Sequence, residues 1–137
     1  MKITLQKATL VFDILNKLIL GDKMSSDAKY AITRIQIELK PLASSYRDAL
    51  DLASQRLRPD GFETIATKIQ KREPLTLNEQ QVFLKYNTDV ENCIKEEVER
   101  EIELKSTPLN DIMMKELIDC NNIAIADVIT LHETIVE

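Results

Sequence analysis

Ala28, Ile32, Ile35, Leu39, Leu42, Tyr46, Ala49 and Ala53 recur at alternating intervals of four and three. Such a repeat lines one face of an α-helix, and neither a strand nor a loop has any use for it. Ser25 or Ser26 supplies an N-cap, and Asp27 puts a negative charge in the first turn, where the helix dipole favours it. Pro41 falls inside the repeat. A proline there removes one backbone hydrogen bond and crowds the preceding turn, at ~3 kcal/mol or more. The seam keeps its phase across Pro41, so we expect one kinked helix from about Ser26 to Leu57. At 1.5 Å per residue it is about 48 Å long, more than a compact domain of this size spans. The seam can pack on other helices of the chain or on a second copy. Several further amphipathic segments need partners, which favours packing within the chain and keeps a homo-oligomer in view.

The remaining segments read as short elements of one mainly α domain over residues 1–137. Only two glycines and four prolines occur in 137 residues, too few for an all-β chain of tight turns. Ile3 and Leu5 alternate with Lys2 and Thr4 at strand period. Leu10, Val11, Ile14, Leu15 and Leu18 then form a helical stripe, with Gly21 as its stop. Arg58-Pro59-Asp60-Gly61 is a turn, followed by a helix through Phe62, Ile65, Ala66 and Ile69. Thr76 and Glu79 form a capping box opening a helix through Tyr86 and Val90. After Val98, Glu101-Ile102-Glu103-Leu104-Lys105 alternates charged and apolar residues. We expect residues 101–105 to pair antiparallel with residues 2–5 in a two- or three-stranded ribbon, 123–125 being the segment available for the third strand. Thr107-Pro108 reads as a helix start, and Ala126 to Val136 as a closing helix using Val128, Ile129, Leu131 and Ile135.

Several chemistries are excluded by residue supply. With Gly21 and Gly61 the only glycines, no glycine-rich phosphate loop exists. His132 is the one histidine, and it sits beside Glu133 near the end of an amphipathic segment, which assigns it to a surface or cap. Cys93 and Cys120 have no C-x-x-C partners and read as buried reduced thiols rather than a disulfide or zinc site. Neither a metal nor another cofactor is expected, and the chain reads as a non-enzyme. No apolar run approaches the ~20 residues of a membrane span. Leu10 to Leu20 is interrupted by Asp13, Asn16 and Lys17 and lacks a small-residue cleavage site, so a cytoplasmic location is expected.

Charge is split along the chain. Residues 1–73 carry net +4 and residues 74–137 net -9, within a total of -5. The densest stretch, Asp89 to Glu103, has seven acids against Lys95 and Arg100. Glu96, Glu97, Glu99, Glu101 and Glu103 are therefore the candidate contacts for a basic protein partner, or for mimicry of nucleic-acid charge. As metal ligands they lack the Glu-x-x-His motifs of di-metal bundles. As surface residues they keep a strand edge from pairing with other chains. Arg56, Arg58, Lys68, Lys71 and Arg72 make a basic patch, but a pI near 5.0 and few aromatic residues argue against a nucleic-acid partner. An alternative site for a nucleotide signal is a positive pocket near Arg47, Arg56 or Arg58.

Three stretches carry a resemblance: Met1-Lys2-Ile3-Thr4-Leu5, Glu101-Ile102-Glu103-Leu104-Lys105, and Ala126-Asp127-Val128-Ile129-Thr130-Leu131 through Val136-Glu137. Their order resembles a family of small phage and prophage proteins of unknown function, from which this chain departs by a longer middle at residues 59–75. The resemblance implies a phage origin and no catalytic residues. It places the chain in the host cytoplasm or in the virion. The functional expectation is a non-enzymatic accessory or interaction protein working through protein–protein contacts. It is either an inhibitor of a host factor or defence system, or a virion or assembly accessory. The alternative expectation is a small-ligand protein that sequesters a nucleotide signal.

Overall fold

Local hydrogen bonds set most element boundaries. A computed structural model describes residues 1–137. In chain order the elements are β1 (Lys2–Thr4), α1 (Leu5–Asn16), α2 (Ser26–Leu57), α3 (Phe62–Gln70), α4 (Leu77–Val98), β2 (Glu101–Glu103), α5 (Asp111–Cys120) and α6 (Ile125–Thr134). The fold is mainly α with one small antiparallel ribbon. Thr4 ends β1 and caps α1 by accepting from the Lys7 N–H at 3.2 Å. Ser25 caps α2 through the Ala28 N–H at 3.1 Å. Both halves of the Thr76–Glu79 capping box form, at 3.2 and 3.0 Å.

By packing the chain divides into two compact units, residues 1–46 with 98–137, and residues 47–97. In the first, β1 and β2 pair antiparallel in the register Lys2↔Glu103, Ile3↔Ile102 and Thr4↔Glu101. The Leu104 N–H to Met1 O and Leu5 N–H to Arg100 O bonds extend the ladder at either end. Ile3, buried, turns into a core built from Ala8, Val11, Ile14 and Leu15 of α1 and Ala28, Ile32, Ile35 and Leu39 of α2. Met114 and Leu117 of α5 and Leu131 of α6 complete it, with Leu109 and Ile135 beside them. Each buried Val, Leu, Ile or Met among them contributes about 1.5–3 kcal/mol, and the alanines less. The first half of the seam is thus covered within the chain.

The second unit has a smaller set of buried side chains: Ala53, Ile65, Val90 and Ile94. Phe62 stacks near Phe83, centroids 6.4 Å apart, and meets Tyr86 at 4.6 Å. The Tyr86 hydroxyl donates to the Ser54 carbonyl at 2.7 Å, so the buried end of the ring is satisfied.

Helix α2 runs without a break through Pro41. Its burial, however, drifts off the heptad: after Leu39 the fully buried position is Ala43, and Leu42, Tyr46 and Ala49 are half-buried. Burial returns to the seam at Ala53, so the departure is confined to the stretch just after Leu39.

Four expectations are corrected. No third strand forms at residues 123–125; Ile125 opens α6, and the sheet has two strands only. Just before α6, the Asn121 side chain accepts from the Ile19 N–H at 2.8 Å and donates to the Ile19 carbonyl at 2.9 Å. Helix α1 stops at Asn16, before Gly21. Gly21 instead packs closely on α5, where a Cβ would stand 3.0 Å from the Cys120 Sγ. Helix α5 starts at Asp111 under an Asn110 cap, because Leu109 is held extended by bonds to Ile135 O (2.7 Å) and from Glu137 N–H (2.9 Å). Cys93 is exposed on α4 and Cys120 half-buried, so neither is the buried thiol expected.

Candidate functional site

The acidic residues lie on successive elements rather than on one helix face. Glu96 and Glu97 belong to the last turn of α4; Glu96 is exposed, Glu97 is half-buried and bonded within the protein. Glu99 is exposed in the link that follows, and Glu101 and Glu103 are exposed on β2. The ladder bonds at Met1/Leu104 and Leu5/Arg100 fix the alternation along the ribbon. Glu101 and Glu103 take the positions whose backbone groups point away from β1. Two glutamates at an outward-facing edge discourage addition of another strand. Glu103 also accepts from the Met1 amino group at 3.2 Å.

The three arginines of the alternative pocket do not converge. Arg47 and Arg56 are nine residues apart on α2, which at 100° per residue sets them on opposite faces. Arg47 is already bonded within the protein. Arg58 lies over the Phe62 ring at 5.5 Å and borders a recess of about 210 Å³ with Ser54, Gln55 and Tyr86. One cation over an aromatic face is a packing contact and supplies no phosphate cradle.

A different cationic cleft exists in the first unit. Its cavity is about 260 Å³, lined by Tyr30, Ala31 and Arg34 of α2 and by Lys105, Ser106 and Thr107 after β2. The 105–107 segment is fixed by Glu38. Its carboxylate accepts from the Lys105 N–H at 2.6 Å, from the Ser106 N–H at 3.4 Å and from the Ser106 hydroxyl at 3.4 Å. Tyr30, Arg34 and Glu38 follow at intervals of four, so one face of α2 builds both the cleft wall and its support. Sequence reasoning missed this cleft, whose halves lie about 70 residues apart. The available signal was the Tyr30/Arg34/Glu38 ladder together with Lys105-Ser106-Thr107 at a strand end.

No family model, curated protein or solved structure matches the chain.

The remaining feature is apolar. On α6, Ile125 is 79% exposed and Ile129 50%, and they are one turn apart on one face. The closing helix was expected to bury Ile129, but the buried positions are Leu131 and, just beyond the helix, Ile135. One turn beyond Ile129, His132 stands 3.7 Å from Asp111 of α5, and the next residue, Ile112, is 73% exposed. His132 is a surface residue near the helix end, as expected. No helix is long and apolar enough to cross a membrane.

Proposed function

We propose that this chain is a non-enzymatic, phage-type interaction protein that docks on another protein through α6 and the neighbouring start of α5. The carrying observation is the pair Ile125 and Ile129, one turn apart and both largely open to water. Neighbouring large apolar side chains left open on one surface are the raw material of a binding face. Their placement costs the fold nothing, because Leu131 and Ile135 on the other side of the same segment are fully buried. The glutamates on β2 and at the end of α4 contribute charge rather than buried area. They favour a basic partner and speed its encounter. Phage origin rests on the Met-Lys-Ile-x-Leu start, the Glu-Ile-x-Leu strand and the apolar end helix. The partner's identity separates the two biological roles. A host enzyme or defence protein marks an inhibitor, and a capsid or tail protein marks an assembly accessory.

The test is affinity capture from phage-infected host cells with wild type and an Ile125→Lys/Ile129→Lys variant, read by mass spectrometry. Both substitutions lie on the surface, so helical content should be unchanged. The reading expects a protein enriched by wild type and lost with the variant. Equal recovery of the same protein by both, or no enrichment over an unrelated bait, overturns it. A parallel Glu96→Lys/Glu97→Lys/Glu99→Lys variant that retains the partner at full yield removes the electrostatic part.

A further inference from the structure

The cleft between α2 and the segment after β2 has a composition that the docking face does not explain. Arg34 and Lys105 reach it from two elements about 70 residues apart in sequence, and neither is held in an ion pair. Glu38 is one helical turn from Arg34, and its carboxylate is turned to the Lys105 and Ser106 backbone. It holds the cleft wall in place and forms no ion pair with either cation. Thr107 adds a hydroxyl at the wall, while the Ser106 hydroxyl is committed to Glu38. Tyr30, 66% exposed, stands among the lining residues.

We propose that this cleft binds a nucleoside monophosphate. A phosphate monoester carries about -1.5 to -2 charge at neutral pH, which two cations match. A guanidinium and an ammonium on separate walls grip such a group from two directions, with the planar guanidinium taking two oxygens. At about 260 Å³ the cavity is below the usual ~300–1,000 Å³ of drug-sized pockets, so it holds one phosphate with part of its nucleoside. The Tyr30 ring supplies a face on which a base stacks, and stacking tolerates any of the four bases. This site is separate from the Ile125/Ile129 face, and either can fail without the other.

The test is isothermal titration calorimetry at low salt with the four nucleoside monophosphates, adenosine and inorganic phosphate, on the full chain. At least one monophosphate should bind saturably, inorganic phosphate more weakly, and adenosine not at all. Arg34→Gln and Lys105→Gln should each weaken binding about tenfold or more, while Lys40→Gln, an exposed position further along α2, leaves it unchanged. Tyr30→Ala should weaken the monophosphate and leave inorganic phosphate as it was. Absence of saturable binding at millimolar ligand, or binding unaltered by Arg34→Gln and Lys105→Gln, overturns the site. Inorganic phosphate binding as tightly as every monophosphate overturns the nucleoside part.

Discussion

Two single residues illustrate how the backbone is held at its ends. Arg72 has φ +57°, in the left-handed region that costs a side-chain-bearing residue about 1–2 kcal/mol. It is there because α3 ends in a Schellman turn. The Glu73 N–H reaches the Lys68 carbonyl at 2.8 Å and the Arg72 N–H reaches the Ile69 carbonyl at 3.1 Å. Arg72→Gly relieves the strain but gives the unfolded chain more freedom, and we predict a net gain of about 0.5–1 kcal/mol in chemical denaturation. Glu79 carries a pH signature. Its bond to Lys68 Nζ at 2.7 Å, and then its bond to the Thr76 N–H, hold its carboxyl below the usual glutamate value. A carboxyl lowered by folding stabilises the fold fully above its unfolded value and loses that contribution as pH falls through the folded one. Thermal melts of wild type and Glu79→Gln should therefore differ most near neutrality and converge in acid.

Elements were legible where their signal is local. The capping box at Thr76 and a continuous helix through Pro41 follow from neighbouring residues in the sequence, and the pairing of residues 2–5 with 101–105, though remote, follows from the same apolar–polar alternation in both segments. What was hidden depends on distant groups. Leu109 is extended because Ile135 and Glu137, far along the chain, bond its backbone, so Pro108 starts no helix. The cationic cleft was invisible for the same reason. Residues 123–125 form no strand because Ala124 caps α6, its carbonyl accepting from the Val128 N–H, and Ile125 opens the helix. Of the acidic and arginine candidates, sequence placed the glutamates on the surface, but it could not show that Arg47 and Arg56 diverge around α2. Pro41 is exposed and carries no hydrogen bond that its ring protects. Pro41→Ala restores a helical N–H, partly offset by a freer unfolded chain, and should raise stability by about 1–2 kcal/mol in urea melts.

At the scale of the whole chain, the two units are unequally furnished. The first unites buried residues from four helices and the ribbon; the second rests on four buried aliphatic side chains and an aromatic cluster. Local opening free energy follows the buried apolar contacts of a region. Native-state hydrogen exchange should show the amides of α3 and α4 opening at lower free energy than those of α1, α5 and the first half of α2. Uniform protection across both sets would contradict this. The first unit also carries the proposed docking face, so a well-furnished core underlies the exposed Ile125 and Ile129. Two central contacts at an interface, together losing about 3 kcal/mol, correspond to roughly a hundredfold change in affinity. The deciding measurement is the dissociation constant of the captured partner for wild type and for Ile125→Lys/Ile129→Lys. Weakening of about a hundredfold with unchanged helical content is the predicted result, and a change of less than about threefold would contradict docking through α6.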